Sequence, residues 1–328
     1  MMKLIVLLFC FGLAGHARAV EPRLTLTVPA GGQRGAEVTV EFRGDRLDDA
    51  QEIFFYTPEI QVVKIEEAKK DSVRGTIKIA DNCPHGEHAL RIRTATGISD
   101  LRTFFVGPFP SVNEVEPNTD PAKAQKIPLN TTVEGVVDRE DVDYYQVEAR
   151  KGQLLSVEVE GMRLGRILFD PYVAILETNG TVLGFSDDTA LFLQDPLTSI
   201  VVSHDGDYLV QVREASYAGN AQSAYRLHVG NFSRPIAAYP SGGKAGEPLN
   251  VQFRDAAGNE FAQEFKLPAA PVENFGALAL REGAMPPTPN WLRVSPFPNV
   301  LEAEPNNEPT NATLTDLEPP LALNGILQ

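Results

Sequence analysis

Six side chains between residues 114 and 143 carry the kind of oxygen donors that hold a divalent cation. Glu114, Glu116 and Asn118 alternate along the chain, so in an extended segment their oxygens project from one side. Pro117 restricts its own φ and keeps Glu116 out of helical geometry, which favours that extended form. Asp138, Asp141 and Asp143 follow some twenty-five residues later, against a strand expected to open at Tyr144. Five carboxylates and one amide match the ~6–8 oxygen shell of calcium far better than the nitrogen and sulfur shell of zinc. The same residues also describe an acidic linker that holds no ion, and spacing alone does not separate the two.

Other constellations are weaker. No Gly-x-Ser-x-Gly elbow, His-Glu-x-x-His helix, phosphate loop or Gly-x-Gly-x-x-Gly stretch occurs. Cys83-x-His85-x-x-His88 offers zinc-ligand types, but His88 shares the parity of Leu90 and Ile92, which marks it as a strand residue, and no fourth ligand is near in sequence. Ser203, His204 and Asp207 include a nucleophile, a base and an acid, yet neighbours on a strand face opposite ways, as on a solvated hairpin shoulder. Asp187, Asp188 and Asp195 lie in a Ser/Thr/Asp-rich stretch rather than as a recognisable glycosidase pair. No catalytic residue is expected within this chain.

The elements that must position these residues are set by composition and pattern. The 328 residues suit two domains and a smaller third, and 43% hydrophobic with 22% charged residues argues against wholesale disorder. Against 29 basic residues stand 44 acidic ones, a net charge of −15 that would repel phosphate backbones, so no nucleic-acid partner is expected. Two cysteines and five histidines leave no room for a disulfide scaffold or a Cys-rich zinc module.

Residues 1–19 read as a signal peptide. Met1-Met2-Lys3 is a short basic start, Leu4 to Leu13 is apolar, and Ala17-Arg18-Ala19 offers a small-x-small cleavage site, which predicts a mature start at Val20. The apolar run is shorter than the ~20 residues that span a bilayer, so no membrane insertion is expected after cleavage. Losing Lys3 and Arg18 takes the net charge from −15 to −17, and losing Cys10 leaves Cys83 alone. The expected location is secreted, extracellular or on the cell surface, with the periplasm as an alternative.

The mature chain reads as all-β, in tandem β-sandwiches. Within 20–108, seven β-rich runs (Leu24–Val28, Val38–Phe42, Ile53–Tyr56, Val62–Ile65, Val73–Ile79, His88–Arg93 and Leu101–Val106) predict an Ig-like sandwich without its disulfide. Within 112–230, eight runs, with Asn179-Gly180 and Asp205-Gly206 as hairpin turns, predict a second sandwich of jelly-roll type. One helical turn is expected at 120–124, capped by Asp120 with Pro121 behind it.

The chain then repeats. Pro29-Ala30-Gly31-Gly32 returns as Pro240-Ser241-Gly242-Gly243, and Glu114-Val115-Glu116-Pro117-Asn118 returns as Glu302-Ala303-Glu304-Pro305-Asn306. This predicts a second, shorter Ig-like domain over 234–298 and the opening of a second copy of the jelly-roll-type domain over 300–328. A lone strand has nothing to pack on, so the chain is expected to be the front part of a longer protein.

Region 112–230 resembles the bacterial pre-peptidase C-terminal domain, a relative of the collagen-binding domains of secreted collagenases. The resemblance rests on Glu114-x-Glu116-Pro117-Asn118, Asp141-Val142-Asp143-Tyr144-Tyr145, Lys151-Gly152-Gln153-Leu154, Asp170-Pro171-Tyr172 and Asp205-Gly206-Asp207-Tyr208. Regions 20–108 and 234–298 look like Ig-like domains of the IPT/TIG kind, with Gly86-x-His88 and Gly97-Ile98-Ser99 before late strands. The alternation is similar to large secreted proteins of planctomycete-type bacteria. What the resemblance implies is accessory work beside a secreted catalytic domain, binding of polymeric substrate, and a calcium site in the Glu-x-Glu-x-Asn segment and the acidic loop. Thr119 departs from the Asp frequent there. The expected function is a non-catalytic secreted module array supporting or targeting a larger extracellular protein, with an extracellular polymer, protein or polysaccharide, as partner. The rivals are the front of a secreted peptidase or hydrolase and a cell-surface adhesion repeat.

Overall fold

The computed structural model describes residues 21–189 and 194–326. The expected signal peptide, residues 1–19 with Cys10, lies outside them. Among the described residues the fold is nearly all β, helix being confined to the short turns Pro121–Lys123, Met162–Leu164 and Pro309–Asn311.

The first sandwich has two four-stranded sheets. Arg23–Val28, Glu37–Asp45, Ser72–Ile79 and Ile60–Ala68 pair in that order in one, and Gly31–Gln33, Arg102–Gly107, Gly86–Thr94 and Ala50–Phe55 in the other. Alternation within each strand delivers Val40, Phe42, Ile77, Leu90, Ile92 and Phe104 to a shared core, each worth about 1.5–3 kcal/mol when fully buried. Gly31–Gln33 is a strand where the sequence showed only turn chemistry. It pairs parallel with Arg102–Gly107, and a Cβ on Gly32 would sit 2.8 Å from Val38 and 2.9 Å from Ile79. The glycines serve close approach of the backbone to the core rather than a turn.

The second sandwich has two five-stranded sheets. One runs Gln125–Lys126, Asp143–Ala149, Gly206–Glu214, Pro171–Glu177 and Val182–Ser186; the other runs Leu197–Val201, Leu154–Glu160, Ala224–Gly230, Thr131–Val136 and Ser111–Asn113. Tyr145, Val147, Val157, Val210, Leu227 and Val229 meet between them. The strand that precedes the Asp205-Gly206 turn is Leu197–Val201. Ser111–Asn113 and Gln125–Lys126 are additional edge strands too short to show a period. The expected turn at 120–124 is the 3-10 turn Pro121–Lys123, whose cap Asp120 accepts from the Ala122 amide at 3.0 Å.

The third sandwich is smaller, with two three-stranded sheets around Val251, Phe253, Ala277, Leu292 and Val294. Beyond it Asn299–Leu301 pairs parallel with Ala322–Asn324, placing Val300 opposite Leu323 as Val112 stands opposite Val133 in the second sandwich.

The outer face of one sheet of the second sandwich is covered by its neighbours. Strand register sets Glu160, Arg226 and Glu134 in one row and Glu158, His228 and Thr132 in the next. Arg226 donates to Glu134 at 2.8 Å and to Glu160 at 2.6 Å. From the first sandwich, the Ala30 amide donates to Glu134 at 3.1 Å and Phe105 lies under Arg226. From the third, Thr288 donates to Glu158 at 2.6 Å, while Arg234 reaches Glu158, Thr288, Asn290 and the Pro289 carbonyl.

Candidate metal centre

Asp143 opens the strand Asp143–Ala149 with its side chain on the inner face, in series with Tyr145 and Val147. Glu114 follows the edge strand Ser111–Asn113, and its amide donates to the Glu134 carbonyl at 3.0 Å, so the linker is laid along the sheet. The Tyr144 amide donates to the Asn118 carbonyl at 3.1 Å, which pins the far end of the same linker to the strand that carries Asp143.

These placements bring carboxylate oxygens of Glu114, Glu116 and Asp143 within 4.8 Å of one another. Asn118 is fully buried beside them, donating from Nδ2 to Glu114 at 3.3 Å, and its amide donates to Glu116 at 3.0 Å. Asp141 stands next to the group, accepting from Thr119 Oγ1 at 3.0 Å and from the Val142 amide at 2.9 Å. Asp138 is not brought in: it is exposed, and its carboxylate accepts from the Arg139 amide at 2.8 Å.

The electrostatics are unfavourable without a positive charge. Burial, and next the charge of Glu114, push the Asp143 carboxyl up to about 9. Burial also raises Glu116, with Asp141 and Glu114 adding to it. Tyr145 donates to Glu114 at 2.9 Å, while Tyr225 lies 3.0 Å from Glu114, 2.7 Å from Asp143 and 2.5 Å from the Tyr145 hydroxyl. The two hydroxyl protons, even with a third on the Asp143 carboxyl, cannot serve all four contacts at once, so the oxygens outnumber the protons available to them. Asn118 Oδ1 and Asp143 Oδ1 are buried with no hydrogen-bond partner. Two orphaned buried oxygens beside two more carboxylates, with no nitrogen or sulfur donor among them, are a donor set that fits a hard cation such as calcium.

Tyr145 and Tyr225 were not singled out as site residues from the sequence, and Thr119 stood out there only as a departure from the Asp frequent at its position. Tyr145 had a signal, since it shares parity with Asp143 on a core-facing strand. Tyr225 lies 82 residues from Asp143, and only strand pairing brings the two together.

The other constellations disperse. His88 is buried with Leu90 and Ile92, its ring bonded to Thr57 Oγ1 and the Pro84 carbonyl, each at 2.8 Å. Cys83 lies 3.8 Å from His88, but among the described residues no third ligand joins them. His85 is buried with both ring nitrogens unpartnered, and burial, then Arg34, lowers it to about 4. His204 is exposed and pairs with Glu177 at 3.0 Å. Asp195, expected in a Ser/Thr/Asp-rich loop, is fully buried, accepting from the Gly161, Met162 and Arg163 amides and from Arg163 Nε at 2.6 Å. Among the described residues, no helix is long and apolar enough to cross a membrane.

No protein-family model matches the chain, and no curated protein matches it. Among solved structures it is similar to the pre-peptidase C-terminal domain of collagenase from Bacillus anthracis, at 15% identity and TM-score 0.27, over 35% of this chain and 99% of that one. It is also similar to PliG of Aeromonas hydrophila, a periplasmic inhibitor of g-type lysozyme, at 17% identity and TM-score 0.26, over 33% and 96% of the two chains. A third is SGBP-B from a xyloglucan utilization locus of Bacteroides uniformis, at 13% identity and TM-score 0.23, over 64% and 73%.

Proposed function

We propose that the chain is a secreted, non-catalytic array of Ig-like and pre-peptidase C-terminal-like sandwiches that supports or targets a larger extracellular protein. In this reading calcium is held by Glu114, Glu116, Asn118 and Asp143, with Asp141 at the margin, and an extracellular polymer, protein or polysaccharide, is the target. The observation that carries the calcium half is the pair of buried, unpartnered oxygens on Asn118 and Asp143 beside two further carboxylates. An ion there joins the linker to the second sandwich and relieves carboxylate repulsion. At a hundredfold excess over its Kd, calcium adds about 2.7 kcal/mol to the folded state.

The test is calorimetric melting of the full chain in millimolar calcium and in chelator. The wild type melts higher in calcium. Glu116→Gln combined with Asp143→Asn raises the melting temperature in chelator, because two carboxyls whose charged forms are penalised by burial and by their neighbours are neutralised, and abolishes the calcium response. Identical melting of the wild type in calcium and chelator overturns the calcium reading.

A further inference from the structure

Between the first and second sandwiches lies a cavity of 640 Å³ whose walls carry four arginines, Arg23, Arg43, Arg102 and Arg166. This concentration of positive charge sits in a chain whose net charge is −15. Register explains part of it: Arg23 stands opposite Asp45 and Arg43 opposite Leu26 on two paired strands, and both arginines line this wall. Arg166 enters from the second sandwich, after the turn Met162–Leu164 and the left-handed Gly165.

The carboxylates of the cavity are already engaged. Glu134 is held by Arg226 and the Ala30 amide. Glu114 is held by the Val136 amide at 3.0 Å and by two tyrosine hydroxyls. The guanidiniums are not similarly satisfied. Arg166 donates to the Thr27 carbonyl and has no carboxylate partner, and Arg102 donates to the carbonyls of Thr25 and Leu101. Arg43 pairs with Glu41 at the exposed rim, and the Arg23 side chain has no partner among the described residues. Burial lowers the Arg166 guanidinium, and although Glu134 opposes this, Arg226 and Arg43 add to it. Among the described residues Glu41 pairs only with Arg43, and Glu134 and Glu114 are held by other groups, so the guanidiniums outnumber the carboxylates free to meet them, and an anion between them adds charge-assisted hydrogen bonds.

We propose that this cleft binds an oxyanion carried on a small polyhydroxylated ligand, the carboxylate or sulfate ester of an acidic sugar. The volume is that of a small-molecule site. Thr25 and Gln222, also on its walls, supply hydroxyl and amide groups that suit sugar hydroxyls. The chain's overall negative charge repels a long polyanion, so the ligand is compact. Glu114 and Tyr225 belong to both this wall and the metal centre, whereas none of the four arginines does, and the test is run in chelator so that the two readings fail separately.

Calorimetric titration of the full chain compares a disaccharide bearing one glucuronate, the same disaccharide with that carboxylate reduced to the alcohol, and inorganic sulfate. The glucuronate form is expected to bind about tenfold or more tighter than the reduced form, as charge-assisted hydrogen bonds imply. Arg166→Gln, with Arg23→Gln, is expected to remove that preference while leaving the melting temperature unchanged or higher, because an uncompensated cation has been neutralised. A purely structural Arg166 would lower the melting temperature instead, and that result overturns the site. Equal binding of the charged and reduced disaccharides also overturns it, and sulfate binding as tightly as the disaccharide overturns the sugar assignment.

Discussion

Replacing Arg226 by Met tests how far the buried row of charge on the covered face of the second sandwich stabilises the fold. Arg226 is 2% exposed, and its guanidinium lies between Glu134 and Glu160 on adjacent strands. Burial alone would raise the Glu160 carboxyl. Arg226, then the His228 ring at 3.0 Å, overcome this and hold it well below its ordinary value of 4.5. Removing the guanidinium leaves the buried Glu160 carboxylate with the His228 ring and the more distant charge of Arg163, and breaking such a pair from one side costs about 3–5 kcal/mol. For a cooperative unit of about 150–250 residues this is roughly 2–4 °C of melting temperature per kcal/mol. The sign of the pH dependence is fixed as well. In the wild type Glu160 has a depressed folded value, so its contribution is complete above the unfolded value near 4.5 and fades as pH falls below it. In Arg226→Met the folded value rises above the unfolded one, so the penalty is largest at neutral pH and shrinks as Glu160 takes up a proton. Urea denaturation of both proteins between neutral and mildly acid pH reads the gap directly. A gap below about 1 kcal/mol at neutral pH, or one that does not narrow on acidification, refutes the reasoning.

Three further outcomes follow from the packing. Gly31→Ala places a Cβ 2.6 Å from the Arg226 guanidinium carbon and against the Phe105 backbone. It should cost about 1–3 kcal/mol in urea denaturation, and a neutral result would mean the first two sandwiches do not pack as described. Cys83 is fully buried, and burial, with Glu59 next, pushes its thiol up to about 11. It should resist a thiol reagent at pH 8 and react once in full after unfolding, so rapid labelling of native protein would contradict its burial. Residues 20–328 by themselves should leave casein, gelatin and a polysaccharide panel uncleaved, and cleavage lost on His204→Ala or Asp195→Asn would restore a catalytic reading.

The candidate metal centre was legible in proportion to how local it is. Glu114, Glu116 and Asn118 sit two residues apart, so backbone geometry alone relates their oxygens. Asp143 was legible through its neighbours, because the Asp-x-Asp-Tyr-Tyr stretch opens a strand. Asp138 looked equivalent in sequence but turns to its own loop backbone, bonding the Arg139 amide. Tyr225 was invisible for the opposite reason: it looks like any core aromatic until its hydroxyl meets Asp143.

The sequence by itself determined the all-β character and most of the strands, because period-two alternation and Asn-Gly or Gly-Pro punctuation are short-range signals. It also showed the duplication, visible as repeated segments. Only the tertiary structure decided what covers the outer face of the second sandwich. Glu134, Glu158, Glu160, Arg226 and His228 read as ordinary solvated positions on alternating strands, yet all but Glu134 are fully buried. Alternation reports which side of a sheet is apolar, and it carries no information about a neighbouring sandwich that buries the polar side. That information resides in strand register, which aligns the charges into rows, and in the packing of the adjoining sandwiches over them.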